Sequence, residues 1–144
     1  MLLNIHGTFK PTGLSRTYPN VMNYEGVYGL EQMKWTDKDK ANMPLNDVLI
    51  PYIRMAAGPL DYTQGAMLNA SKNDYRSIDH MAMSQGTRAH QLALYVIFDS
   101  PLSMLCDSPS IYLREEECTR FITSIATCFE KSFVVDGKVG ETVI

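Results

Sequence analysis

The sequence lacks the features that define several common protein classes. It has three cysteines and one tryptophan among 144 residues, and no apolar run approaches the ~20 residues that span a bilayer. Its 13 basic residues form no cluster and its net charge is -3, so no electrostatic surface for nucleic acid or an anionic membrane is expected. Nucleic-acid and membrane partners are therefore set aside.

The cysteines and the first residues exclude two further possibilities. The number of cysteines is odd, and Cys106, Cys118 and Cys128 lack the spacing of a zinc site. We therefore predict that they are small, buried, unpaired thiols. Residues 1–6 lack the basic and the long apolar stretches of a secretory signal. If the parent protein is exported, we expect the targeting segment to lie outside this sequence.

The composition that remains is that of a globular protein, with 45% hydrophobic and 20% charged residues. Apolar runs at residues 2–5, 20–24, 60–63 and 102–106 predict strands that alternate with helices. His6, Glu25 and Asp107 each follow a predicted strand. Such alternation predicts an α/β fold whose parallel strands gather polar residues at their carboxyl ends. Four strands are half of a (β/α)8 barrel, and a small open α/β sheet is the alternative.

Three helices are predicted in detail. The first has Pro51 in its first turn, and the second is capped by Ser84. Residues 69–83 between them are expected to form a long loop, and the strand formers of residues 133–139 surround an Asp-Gly turn that opens a β unit. The apolar faces are predicted to be Leu49, Tyr52, Ile53, Ala56 and Ala57, then Ala89, Leu92, Ala93, Val96 and Ile97, then Cys118, Phe121, Ile122, Ile125 and Phe129.

Glu25 and Glu31 stand out because Gly26 and Gly29 lie between them. On one helix the two side chains would point roughly 240° apart, and on one strand they would sit about 20 Å apart. Only a turn brings them to one point, and the glycines supply the backbone freedom for it. Paired carboxylates suit acid/base work on a glycosidic bond or capture of a hard cation. A polar loop with two solvated glutamates is the competing interpretation.

Several stretches of the sequence resemble the catalytic domain of glycoside hydrolase family 97. They follow the order found in that family and extend over essentially the whole chain, at residues 6–20, 23–31, 58–65, 91–95, 100–102 and 136–141. Enzymes of this family are calcium-dependent α-glucosidases and α-galactosidases with a β-sandwich, a (β/α)8 barrel and a carboxy-terminal β domain. The resemblance implies that residues 1–131 form half of the barrel, roughly strands five to eight. Residues 132–144 would start the carboxy-terminal β domain.

The resemblance also implies roles for individual residues. Glu31 aligns with the general acid, which in the family also lies at the calcium, and Glu25 aligns with a calcium-ligating glutamate. His6 aligns with a substrate-contacting histidine, although a histidine at a strand end is by itself more often structural. Gly7 stands where the inverting branch has a glutamate, which implies the retaining, α-galactosidase-like branch. The nucleophile of that branch is an aspartate that would precede His6, outside this sequence.

These implications lead to a set of expectations for the chain. The parent protein is expected to be periplasmic or secreted and to act on an oligosaccharide or another α-glycoside. A fragment without the nucleophile is expected to be inactive alone, and its exposed barrel edges would favour a homo-oligomer. The competing hypotheses are an inactive remnant that binds sugar or calcium, and a small open α/β protein whose loop at residues 69–83 binds a partner.

Overall fold

A computed structural model describes residues 1–144 as a mixed α/β chain. Strands β1 (Leu3–Ile5) and β2 (Val21–Tyr24) pair in parallel, and Leu60 forms a further parallel bridge with Tyr24. The first two predicted strands are thus confirmed, while the third is reduced to a single bridge. Three neighbouring chain segments therefore run in one direction and end at the same edge.

The remaining elements are short and surround this parallel unit. The helices are α1 (Leu14–Thr17), α2 (Leu30–Met33), α3 (Met43–Ile53), α4 (Arg88–Ile97), α5 (Pro109–Arg114) and α6 (Glu116–Ser124), with a 3-10 turn at Met55–Ala57. Strand β3 (Asn69–Ala70) pairs in parallel with β4 (Ser84–Gln85), and β5 (Gly137–Lys138) pairs antiparallel with β6 (Thr142–Val143). No helix has the length and apolar character needed to cross a membrane.

The main hydrophobic core lies behind the ends of the parallel segments. Twelve buried residues between Leu30 and Phe98 form it, and Met43, Leu60 and Tyr62 are among its least exposed members. Four further buried residues make a second cluster toward the carboxy terminus: Met67, Tyr95, Tyr112 and Ile122. The fold therefore supports the strand ends mainly through residues before position 100.

Two local predictions are wrong. Residues 102–106 form no strand, because Asn23 Nδ2 donates to the carbonyl of Leu102 at 2.8 Å and Tyr95 donates to that of Met104 at 3.4 Å. Helix α3 begins at Met43, where Asn42 accepts from the N–H of Leu45 at 3.4 Å. Pro44 occupies its first turn, so Pro51 lies inside the helix rather than at its start.

The predicted faces of α3 and α4 are only partly right, because polar residues take core positions while Leu92 and Ile97 of the predicted α4 face pack at the edges of the core. In α3 the buried residues are Met43, Asp47 and Ile50, while the predicted Leu49 and Tyr52 lie against the β5–β6 hairpin. In α4 the buried residues are Gln91, Leu94 and Tyr95, and the helix is capped by Thr87 instead of Ser84, which lies in β4. Gln91 is buried because its Oε1 accepts the N–H of Gly65 at 3.1 Å.

The carboxy-terminal residues are less buried than the sequence predicted. Helix α6 ends at Ser124 and buries only Ile122, so Phe121 and Phe129 are exposed. The predicted β unit is present as the β5–β6 hairpin, but its turn lies at residues 139–141, and Gly137 of the predicted Asp-Gly turn lies in β5 instead. The Thr142 carbonyl of this hairpin accepts from Tyr52 at 2.8 Å. The three cysteines are unpaired as predicted, but Cys106 and Cys118 are only partly buried and Cys128 is exposed.

Candidate active site

Three side chains project from the ends of the parallel segments. His6 follows β1, Glu25 follows β2, and Asp61 follows Leu60. Backbone hydrogen bonds hold these ends side by side, since the N–H of Glu25 donates to Ile5 at 2.8 Å and the N–H of Asp61 donates to Tyr24 at 3.1 Å. This edge therefore carries the candidate site, as parallel α/β folds generally do.

A glycine turn brings Glu31 back to the same edge. Gly26 has φ +29°, and a Cβ at this position would lie 2.5 Å from the carbonyl carbon of Phe9, so only glycine fits. The turn leads into α2, where Glu31 sits in the first turn. A carboxylate is favourable there because the first turn carries exposed N–H groups.

Arg54 holds the Gly26 turn through hydrogen bonds to backbone carbonyls. Its guanidinium is buried and donates to the carbonyls of Tyr24 at 2.9 Å, Gly26 at 3.0 Å and Gly58 at 2.9 Å. Burial lowers the pKa of the Arg54 guanidinium from its usual value. The arginine therefore joins carbonyls from β2, the turn and the segment after α3, and it holds the turn in one conformation.

Glu25, Glu31 and His6 converge at this turn. One oxygen of each carboxylate and one ring nitrogen of His6 lie within 4.8 Å of one another. Glu25 is only 9% exposed; its Oε2 accepts the N–H of Gly7, and its Oε1 accepts Gln32 Nε2 at 2.6 Å. Gln32 also accepts the N–H of Gly29 at 2.9 Å, so one side chain links Glu25 to the start of α2.

His6 is oriented by a buried carboxylate. Its Nε2 is hydrogen-bonded to Asp61 Oδ2, which also accepts Asn4 Nδ2 at 2.6 Å. Its Nδ1 faces Glu25 Oε1 at 3.8 Å. Because Asp61 is 2% exposed and holds Nε2, the other ring nitrogen is directed toward the paired glutamates.

A cleft of about 230 Å³ opens beside Glu31. Lys34, Thr63, Met83 and Cys106 are among the residues that line it. Burial raises the pKa of the Cys106 thiol to about 12, so this sulfur is protonated at neutral pH and is not a nucleophile there. The chemistry at the cleft therefore depends on oxygen and nitrogen groups.

Not every polar residue singled out in the sequence belongs to the site. Asp107 accepts the N–H of Met67 at 2.7 Å, away from the paired glutamates, and burial raises its carboxyl pKa. Gln32, Arg54 and Thr63 were not identified from the sequence. Gln32 had a usable signal, because a glutamine three residues after Gly29 is the spacing of a helix capping box.

Sequence comparisons with known proteins point to one family. A family model for glycoside hydrolase 97 matches residues 1–27. The chain is 57% identical over all of its 144 residues to a retaining alpha-galactosidase of Bacteroides thetaiotaomicron, of which it covers 22%. It is also 26% identical to a probable retaining alpha-galactosidase of Streptomyces bingchenggensis and covers 20% of that protein. The chain thus spans about a fifth of the length of these curated relatives.

Solved structures show the same similarity. A glycoside hydrolase family 97 enzyme from Pseudoalteromonas sp., in complex with acarbose, has a TM-score of 0.80 and 36% sequence identity. The match covers 99% of this chain and 21% of that one. A second structure of an enzyme from that source, in complex with panose, gives the same TM-score.

Proposed function

Because this chain belongs to glycoside hydrolase family 97, as a segment about a fifth the length of its relatives, we propose that the protein containing it hydrolyses terminal α-glycosidic bonds with retention. The proposed substrate is an oligosaccharide or other α-glycoside. We propose α-galactosides as the preferred substrates, since the relative that is 57% identical is named a retaining alpha-galactosidase. One observation carries this proposal: Glu31 meets Glu25 and His6 beside an open cleft.

Glu31 is the proposed proton shuttle. It borders the cleft, whereas Glu25 is buried and has hydrogen bonds on both carboxylate oxygens. A retaining mechanism uses one carboxyl as a nucleophile and a second that first gives and later takes a proton. Glu31 is free to exchange a proton with a bound substrate and Glu25 is not. The nucleophile is therefore assigned to a residue outside this chain.

Position 7 supports retention. Gly7 has φ +58°, and a Cβ there would meet no atom within 4 Å. Its N–H donates to Glu25, and no side chain stands in this space to hold a water molecule for direct attack. Position 7 thus lacks the side chain that marks the inverting branch.

The donor atoms at the site suit calcium only in part. Glu25 and Glu31 offer the hard carboxylate oxygens that calcium prefers, while the imidazole of His6 is not a calcium ligand type. We assign Glu25 and Glu31 as calcium ligands and His6 as a substrate contact. When bound, the cation would supply electrostatic stabilisation of negative charge. Six to eight oxygen ligands are usual, so the other ligands would come from water or from the rest of the protein.

The same proposal covers the architecture and the location. Residues 1–131 would be half of a (β/α)8 barrel, roughly strands five to eight, and residues 132–144 the start of a carboxy-terminal β domain. The β1–β2 pair with its bridge at Leu60 supports the first assignment, and the β5–β6 hairpin supports the second. A periplasmic or secreted location for the longer protein is proposed from its expected substrate.

The direct test replaces the corresponding segment of the Bacteroides relative with this chain. In this chimera E31Q is expected to lower kcat/KM for phenyl α-galactoside by about 10²-fold or more, the usual size of a general-acid effect. E117Q, an exposed glutamate on α6, is the matched control and should retain wild-type activity. Proton NMR of the first-formed sugar should show the α anomer.

Two results would overturn the proposal. An E31Q chimera as active as E117Q would remove Glu31 from the chemistry. A folded wild-type chimera that is stabilised by galactose but releases no phenol would support the alternative of a non-catalytic sugar-binding protein.

A further inference from the structure

A buried polar network lies behind the candidate site and has no part in the proposed mechanism. Asp47 on α3 is 1% exposed and Tyr62 is 1% exposed. The Tyr62 hydroxyl donates to Asp47 Oδ1, and Asp47 Oδ2 is 2.8 Å from Nε2 of His90 on α4. Burial and the Asp47 charge raise the pKa of Tyr62 well above its usual value, so the phenol remains a donor.

This network is costly for a purely structural element. A carboxylate out of water loses much hydration energy, and apolar residues of similar volume often stabilise a core as well or better. Tyr62 already packs its ring against Phe98, with 5.1 Å between ring centroids. The polar connections therefore fix the position of Tyr62 beyond what its ring packing provides.

The backbone of Tyr62 connects this network to Glu31. The Tyr62 carbonyl accepts the N–H of Leu30 at 3.1 Å, and Leu30 is the first residue of α2. Thr63 Oγ1 donates to the same carbonyl at 2.6 Å. Gly29 packs so closely that a Cβ there would lie 3.0 Å from this oxygen. Glu31, one residue beyond Leu30, thus has its backbone fixed against Tyr62.

Thr63 shows that this contact is maintained against strain. It is the only non-glycine residue with positive φ, at 60°, and that region is strongly disfavoured for a β-branched residue. Thr63 also lines the cleft beside Glu31. Thr63 therefore lies between the buried network and the Glu31 side chain.

We propose that Tyr62, braced by Asp47 and His90, is a positioning residue that sets the location of the Glu31 carboxyl by holding the first turn of α2. This inference rests on the proposed function, because it assumes that Glu31 is the proton donor. A small displacement of a catalytic group lowers the rate strongly. Loss of the brace should therefore impair proton donation more than any other step.

The test compares two leaving groups in the chimera. Departure of phenol needs proton donation, while departure of 2,4-dinitrophenol needs almost none. The ratio of kcat/KM for the two aryl α-galactosides therefore reports on Glu31 alone. This ratio does not depend on the fraction of folded enzyme, so a partly unfolded variant still gives an answer.

Y62F is expected to lower kcat/KM for the phenyl substrate about tenfold and that for the dinitrophenyl substrate less than about twofold. D47L should shift the ratio in the same direction, and D47N should restore it because the amide oxygen still accepts from Tyr62. Y112F is the matched control, since it removes another buried hydroxyl that donates to the carbonyl of Gly65 at 3.0 Å. Its ratio should equal that of the wild type.

The outcomes separate this inference from the proposed function. If E31Q shifts the ratio strongly and Y62F and D47L leave it at the Y112F value, Tyr62 is structural and only the positioning role is overturned. If E31Q lowers kcat/KM for both substrates by the same factor, Glu31 is not the proton donor, and the proposed function itself is overturned.

Discussion

Residues 1–100 and residues 101–144 of this chain differ in how many residues they contribute to the buried core. The first region holds all buried residues except Tyr112 and Ile122. The second exposes large apolar side chains, with Leu113 81% and Phe133 85% accessible. Packing within the chain therefore forms the core in the first region, although Phe9 and Trp35 are exposed there too, whereas the second region contributes little to the core.

The geometry of the candidate site depends mainly on the first region. The residues of the candidate site lie in the first region and are supported by core residues of that region, such as Asp47, Arg54 and Tyr62. The two regions meet at the smaller core cluster and through polar contacts. Among these contacts, Asp107 accepts from Met67, and Arg88 forms an ion pair with Glu115 at 2.6 Å. We therefore expect the site to respond more strongly to changes in the first region than to changes in the second, which contributes Leu105 and Cys106 to the cleft.

The largest contrast is expected from leucine truncation in the two regions. Leu60 is fully buried beneath the site and Leu113 is 81% exposed. L60A should lower the free energy of unfolding by about 2–5 kcal/mol, because it leaves a cavity in the core. L113A should change it by less than about 0.5 kcal/mol. Urea unfolding of the chain followed by circular dichroism measures both, and equal losses would contradict the division.

Alanine substitutions at Gly26 and Gly7 test whether the turn between Glu25 and Glu31 is fixed. G26A should cost about 2–3 kcal/mol, because its Cβ would clash with the backbone of Phe9 at a positive φ. G7A has a similarly left-handed backbone but open space around its Cβ, so it should cost about 1 kcal/mol. The same unfolding experiment compares them, and a harmless G26A would mean that the turn is not fixed.

These particulars show how much of the molecule could be predicted from the sequence. Local signals were sufficient for β1 and β2, and they indicated a carboxy-terminal β unit but misplaced its turn. The spacing of Gly26 and Gly29 predicted the turn that brings Glu25 and Glu31 together. The faces of α3 and α4 could not be predicted from apolar periodicity. Asp47 and Gln91 occupy core positions because distant partners, Tyr62 and Gly65, satisfy them, and no local pattern encodes those partners.

The smallest expected effect concerns the junction between the regions. Burial raises the carboxyl pKa of Asp107 above its ordinary value of 3.8. A raised folded-state pKa means that the protonated form favours the folded chain at low pH. That contribution is lost as the pH rises through the folded pKa.

D107N removes this titration and keeps an oxygen that accepts the N–H of Met67. The difference in unfolding free energy, variant minus wild type, should therefore increase as the pH rises above about 3.8 and then level off. Urea unfolding across this range measures it, and a flat difference would show that the carboxyl is not desolvated at the junction.

Calcium binding shows whether Glu25 and Glu31 share one site, as the proposed function requires. Calcium titration calorimetry on the chimera compares the wild type with E25Q, E31Q and the control E117Q. We expect E25Q and E31Q each to weaken the same binding event at least tenfold, with E117Q unchanged. Wild-type affinity in both E25Q and E31Q would contradict a shared calcium site at this turn.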